Sequence, residues 1–170
     1  MTALAYVIGD GRGALDRLLS EVATSLAACD VALAGVVQVN TDRDETHHCN
    51  MDLQVLGRVE TVRISQHLGN AALGCRLDPE GLETAVGLVE ATVDGAALLI
   101  VNKFGKTEGE GRGFRPVIAR ALGQGIPVLI GVSRDNLPLF QTFCEDLGDE
   151  IPADLPDILE WVTKQFRHAP

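Results

Sequence analysis

Four continuous apolar runs along the chain predict the strands of a sheet. They are Leu4–Ile8, Val31–Val39, Ala96–Val101 and Ile126–Val132. Their hydrophobicity is unbroken rather than alternating, which is typical of parallel strands that helices cover on both faces. After the first run, apolar residues recur at spacings of three and four and predict a helix with one buried face: Leu15, Leu18, Leu19, Val22 and Leu26. The succession of strand, glycine turn, helix and strand indicates the α/β class.

The remaining segments fit the same class. Residues 40–50 are polar and predict a loop, and residues 51–64 predict a β-hairpin around Gly57. The sequence Asp78-Pro79-Glu80 is typical of a helix start, with a capping aspartate and a proline in the first turn. Further helices are expected over about 114–123 and near the C-terminus. Together these elements predict one α/β domain over residues 1–170, with three layers, a mostly parallel sheet and an inserted hairpin.

The net charge of the chain argues against some classes of binding partner. The 170 residues include 14 Lys and Arg against 24 Asp and Glu, so the formal net charge is −10. Such a surface repels phosphate backbones, and we therefore expect no nucleic-acid partner. No apolar run reaches the 18 or so residues of a membrane span, and the N-terminus lacks the basic start of a signal peptide. These features predict a cytoplasmic protein without a membrane span.

The glycine turn after the first strand resembles a phosphate-binding loop. In open parallel sheets, ligands bind beyond the carboxyl ends of the strands, which selects residues 9–13, 40–50, 102–113 and 133–136. A functional P-loop has the form G-x-x-x-x-G-K-[ST], whose lysine contacts phosphate and whose hydroxyl binds Mg²⁺. Counted from Gly9, the last three positions here are Ala14, Leu15 and Asp16. The turn is therefore either an anion-binding loop without these two groups or a tight turn with no ligand.

Basic residues gather in the predicted loops of this acidic chain, namely Arg12, Arg76, Lys103, Lys106 and Arg112. Glycine-rich main chain, helix N-termini and basic side chains are the groups that bind phosphate, sulfate or molybdate. The predicted anion site comprises Gly9, Gly11, Arg12, Gly13, Asn102, Lys103, Lys106 and Arg112. Alternatively, Lys103, Lys106 and Arg112 pair with Glu108 and Glu110 in a solvated loop, and Arg76 pairs locally with Asp78.

A second group of residues has the chemistry of metal ligands. It comprises His47, His48, Cys49 and Asp52, and Cys75 is a further candidate that the fold could bring near them. The alternative is a polar loop that binds no metal. A third interpretation makes Cys49 or Cys75 a nucleophile, with His47, His48 or His67 as its base.

The segment over residues 98–132 resembles the corresponding segment of small archaeal and bacterial nucleoside-triphosphatases. Gly105 and Glu108 stand where that family has a glycine and a glutamate, whereas Asn102 and Lys103 replace its acidic pair. The resemblance implies a P-loop NTPase type of fold with degenerate nucleotide motifs.

A second resemblance covers nearly the whole chain and rests on three motifs, ISQHLG, GCRLDPEGLE and IVNKFGKTEGEGRG. Together they are similar to domain-of-unknown-function family 2478. The matching residues are Ser65, Gln66, Gly69, Cys75, Arg76, Asp78, Gly81, Asn102, Lys103, Gly105, Lys106, Glu108, Gly111, Arg112 and Gly113. This resemblance implies an association with molybdate transport.

The leading hypothesis is a non-catalytic protein that binds molybdate, tungstate or a phosphate-bearing ligand on a degenerate P-loop scaffold, with a functional link to a molybdate transporter. One alternative is a nucleoside-triphosphatase in which Lys103 or Lys106 replaces the P-loop lysine. Another is a regulatory or assembly protein without a small ligand. A homo-oligomer is compatible with each hypothesis.

Overall fold

Strands and helices alternate through the part of the chain that the computed structural model describes, which is residues 3–10, 13–43, 48–66 and 77–168. The strands are β1 (Leu4–Gly9), β2 (Leu33–Arg43), β3 (His48–Val55), β4 (Thr61–Arg63), β5 (Leu98–Phe104), β6 (Val128–Ser133) and β7 (Asp149–Glu150). The α-helices are α1 (Ala14–Ala27), α2 (Pro79–Glu90), α3 (Lys106–Gly109), α4 (Arg115–Gly123), α5 (Leu137–Cys144) and α6 (Leu155–Arg167). A 3₁₀ turn, Arg134–Asn136, joins β6 to α5.

The strands form one sheet in the order β4-β3-β2-β5-β6-β1-β7. Strands β2, β5, β6, β1 and β7 are parallel to one another, and β3 and β4 are added as antiparallel strands beyond β2. The four apolar runs supply β1, β2, β5 and β6, which all lie inside the sheet. The predicted α/β class, mostly parallel sheet and added hairpin are therefore confirmed.

Two hydrophobic cores cover the two faces of the sheet. Helices α1 and α6 pack on one face, and α2, α4 and α5 pack on the other. Strand β5 contributes to both cores, because Leu98 and Ile100 belong to the first and Leu99 and Val101 to the second. Successive residues of a strand point to opposite faces, so a strand in the middle layer must be apolar throughout. This requirement explains the unbroken hydrophobic runs.

The prediction of a loop over residues 40–50 is wrong for most of that segment. Strand β2 continues to Arg43 and β3 already begins at His48, with Thr41 opposite Asn50 in the antiparallel pair. The polar side chains give no alternating hydrophobic pattern here. Main-chain pairing with the partner strand defines the structure instead, and local propensity does not report such pairing.

The predicted start of α2 is confirmed. Asp78 is its N-cap residue, and its Oδ1 accepts a hydrogen bond from the Glu80 main-chain N–H at 3.1 Å. Pro79 occupies the first helical position, where its missing N–H has no cost. Among the described residues, no helix is both long and apolar enough to cross a membrane.

Candidate functional site at the carboxyl edge of the sheet

Parallel strands β1, β5 and β6 deliver their following loops to one edge of the sheet. An ion pair joins two of these loops, since Arg134 Nε lies 2.7 Å from Asp10 Oδ1 and both side chains are exposed. Sequence reasoning selected residues 133–136 as a candidate loop but did not single out Arg134. The feature that could have identified Arg134 is its position directly after β6, an apolar strand that ends at this edge of the sheet.

The glycine turn leads into α1 without a side-chain cap. Gly13 is the N-cap residue, and its φ of 78° is in the left-handed region that favours glycine. A glycine has no side-chain oxygen to accept the main-chain N–H groups of the first turn, which are the groups that bind anions at helix N-termini. Gly11 and Arg12, two of the predicted anion ligands, lie outside the described residues.

Leu15 fills the space beneath the start of this turn. A Cβ atom placed on Gly9 would lie 2.7 Å from Leu15 Cβ and 2.8 Å from Leu15 Cδ2. Leu15 occupies the position of the P-loop lysine. An apolar side chain packed under the glycine turn therefore stands where a P-loop protein directs a positive charge at phosphate.

Asp16 and Asn102 meet at this edge through a hydrogen-bond network. Asn102 is 2% exposed, and its Nδ2 donates to Asp16 Oδ1 at 2.8 Å. The main-chain N–H of Gln38 in β2 donates to Asn102 Oδ1 at 2.9 Å. Because its oxygen is engaged by β2, the Asn102 amide is fixed with its N–H groups toward α1.

Asn40 completes the network from the β2–β3 hairpin. Its Nδ2 donates to Asp16 Oδ2 at 2.7 Å, and its Oδ1 accepts from Gln38 Nε2 at 2.8 Å. Both oxygens of the Asp16 carboxylate thus accept an amide N–H. Asn40 lies in the segment 40–50 that the sequence selected as a candidate loop, but it was not singled out there. Gln38 lies within the predicted strand Val31–Val39, and sequence reasoning gave it no role at the site.

The loop after β5 is organised around a buried carboxylate. Glu108 is 4% exposed and accepts main-chain N–H groups from Gly105 at 3.0 Å and Phe114 at 3.3 Å. Burial raises the pKa of Glu108, and these hydrogen bonds and the charge of Lys103 offset the rise only in part. Glu108 therefore closes the loop between β5 and α4.

The basic residues of this loop have different surroundings. Lys103 is exposed at the end of β5, and its positive charge lowers the pKa of Glu108, against the larger effect of burial. Arg112 Nη2 lies 2.5 Å from Glu110 Oε2, and Lys106 Nζ lies 3.9 Å from Glu110 Oε1. The structure thus brings Asn102 to the first turn of α1 and places Lys106 and Arg112 beside Glu110.

The residues considered as metal ligands are described only in part. His48 and Cys49 are successive residues of β3, whereas His47 and Cys75 lie outside the described residues. Within the described ranges, no group of three or more His, Cys, Asp or Glu side chains is arranged to hold a metal ion.

A family model described as protein of unknown function (DUF2478) matches residues 4–161. The chain belongs to this family. The family membership that three sequence motifs predicted is therefore confirmed.

Two further proteins are similar to this chain. The molybdenum import ATP-binding protein ModC 2 of Bradyrhizobium diazoefficiens is 31% identical over 150 residues, which cover 86% of this chain but 16% of that protein. The chain thus spans about a sixth of this curated relative. The solution structure of a human cancer-related nucleoside triphosphatase is also similar to this chain, with a TM-score of 0.62 and 14% sequence identity. The superposition covers 95% of this chain and 97% of the human chain. The fold is therefore of the P-loop NTPase type.

Proposed function

We propose that this protein binds a small oxyanion, such as molybdate, tungstate or a phosphate-bearing ligand, at the carboxyl edge of its sheet without hydrolysing nucleotide. The anion accepts hydrogen bonds from the first-turn N–H groups of α1 that follow Gly13. Lys103 contributes positive charge from the end of β5, and we include Arg12, Lys106 and Arg112 as further cations that contact the anion. The protein acts in the cytoplasm.

One observation carries the non-catalytic part of this proposal. The hydrogen bond from Asn102 to Asp16 links the two positions that hold Mg²⁺ in P-loop NTPases, and Leu15 fills the position of the lysine. Phosphoryl transfer depends almost entirely on positioning and charge stabilisation. A site that has lost the lysine and the strand-end acid lacks the main sources of both.

The assignment of molybdate as the anion rests on the similarity to the molybdenum import protein, and not on the geometry of the site. The relative is named as a molybdenum import protein, and this chain is similar to a limited part of it. We extend the association to this protein as a functional link to a molybdate transporter. Molybdate and phosphate are both tetrahedral oxyanions, so the same main-chain donors suit either ligand.

Binding is tested by calorimetry with molybdate, tungstate and inorganic phosphate, using the wild type and Lys103→Ala. A charge-assisted hydrogen bond contributes about 1.5–3 kcal/mol, so the variant should bind roughly 10-fold to 150-fold more weakly. Lys164→Ala is the matched control, because it removes a lysine that pairs with Glu160 on α6. Equal affinity in all three proteins contradicts the assigned role of Lys103.

Turnover is tested with ATP and GTP in the presence of Mg²⁺. We expect negligible hydrolysis. A magnesium-dependent rate near 1 s⁻¹, at the low end of typical enzymes, that disappears in Lys103→Ala supports the nucleoside-triphosphatase alternative instead. No binding of any anion, together with an unchanged melting temperature, supports the regulatory or assembly alternative, because a ligand that prefers the folded state raises that temperature.

A further inference from the structure

Hydrogen bonds to both oxygens hold the Asp16 carboxylate in a fixed position. Asn102 donates to one of its oxygens at 2.8 Å and Asn40 to the other at 2.7 Å. Asn102 is itself buried and anchored by the Gln38 main chain, so its orientation leaves no freedom to turn its oxygen toward α1. Three polar residues from β2 and β5 thus fix one negative charge in the first turn of α1.

This charge has the wrong sign for a phosphate site. A P-loop places a lysine and a hydroxyl at the two positions that Leu15 and Asp16 occupy here. The exchange removes one positive charge and adds one negative charge beside the same main-chain donors. Repulsion grows in proportion to the charge of the ligand, so a polyphosphate is disfavoured more than a small anion.

We propose that Asp16 is a specificity-determining residue of this site, and that its fixed carboxylate weakens the binding of nucleoside di- and triphosphates more than that of a small oxyanion. This inference rests on the proposed function, because it assumes that an anion binds beside α1. It assigns to Asp16 a role in selection rather than in binding.

A role for Asp16 as a cation ligand fits the geometry less well. The groups that face its two oxygens are amide N–H donors, whose partial positive charge opposes a bound cation. Asn102 does not present its oxygen there, because that oxygen accepts the Gln38 N–H. A cation at this place would have one carboxylate and no fixed carbonyl oxygen from Asn102.

The experiment compares the wild type with Asp16→Asn and Asp16→Ala, using ADP without metal, ATP with Mg²⁺ and inorganic phosphate as probes. Both variants remove the charge, and the asparagine keeps an oxygen for the Asn102 N–H. We expect affinity for ADP to rise about tenfold and affinity for phosphate to rise about threefold, since the gain follows ligand charge. The gain should shrink between 0.05 and 0.5 M salt, at roughly the ionic strengths where screening shortens the reach of exposed charges.

Asp30→Asn is the matched control. Asp30 is exposed beyond the other end of α1, about 20 Å away at 1.5 Å per residue, and its φ of 57° is one that asparagine also adopts. This variant removes the same charge from the protein as a whole and should leave every affinity unchanged. Thermal melts confirm that each variant is folded before its binding is measured.

The outcomes separate this inference from the proposed function. Phosphate binding by the wild type with no gain for ADP in either Asp16 variant overturns the inference and leaves the proposed function intact. Weaker binding of ATP with Mg²⁺ in Asp16→Asn also overturns it, because Asp16 would then act through the cation. Absence of binding for every probe in every variant overturns the inference, and it overturns the proposed function as well when molybdate and tungstate also fail to bind.

Discussion

The contact between Asn102 and Asp16 yields a prediction about stability that a reversal of the two residues tests directly. In Asn102→Asp, a second carboxylate replaces the amide N–H that lies 2.8 Å from Asp16 Oδ1. In the double variant Asp16→Asn with Asn102→Asp, the donor and acceptor exchange elements. The Gln38 N–H still has an oxygen at position 102 to accept it.

The magnitude follows from burial and distance. Loss of a hydrogen bond to a charged group costs about 1.5–3 kcal/mol. Two carboxylates about 4 Å apart repel by about 4 kcal/mol at an effective dielectric constant of 20. Because one carboxyl can keep its proton instead, we expect Asn102→Asp to lower the free energy of unfolding by about 3–5 kcal/mol at pH 8, and the double variant by about 1 kcal/mol.

The loss in Asn102→Asp should depend on pH in a defined direction. Repulsion raises the pKa of one carboxyl of the folded variant above its unfolded value, so the folded state holds an extra proton. The destabilisation should be smallest near pH 4 and should grow as pH rises through that raised value. The double variant has one carboxylate in the pair and should lack this dependence.

The assay is urea denaturation followed by tryptophan fluorescence at several pH values. Trp161 is the single tryptophan, is 7% exposed and packs in the core beneath α1 and α6, so its emission reports the loss of that core. Stabilities come from midpoints at constant slope. A double variant as unstable as Asn102→Asp would refute the reasoning, since the two residues would then not act as a pair.

Two further stability predictions concern Glu108 and Gly9. Burial raises the pKa of Glu108, so between its unfolded value and its raised folded value the folded chain holds more protons and stability falls as pH rises. The wild type should therefore lose up to about 1.4 kcal/mol per pH unit relative to Glu108→Gln in that window, and parallel stability curves in urea titrations would contradict this. Gly9→Ala should cost about 1–3 kcal/mol, because its Cβ would lie 2.7 Å from Leu15 Cβ, whereas Gly123→Ala, with no atom within 4 Å, should be neutral or stabilising in thermal melts.

The sequence by itself determined the layers of the fold and the absence of a lysine and a hydroxyl at positions 15 and 16. An unbroken apolar strand and a helix with one apolar face are local patterns, and burial on both faces or on one face dictates them directly. The four inner strands and the start of α2 at Asp78 therefore followed from the printed residues. The absence of lysine and hydroxyl at Leu15 and Asp16 also required only counting from Gly9.

Only the tertiary structure decided how the edge of the sheet is assembled. Asn102 and Asp16 are 86 positions apart, and no local pattern brings them together. Asn40 reaches Asp16 because β2 continues past its apolar run, where it pairs with β3. The hydrogen bonds at this edge join strands β2 and β5 to helix α1, and such contacts exist only once the sheet has formed. The ion pair of Arg112 with Glu110 is the opposite case, since its partners are only two positions apart and the sequence already offered that interpretation.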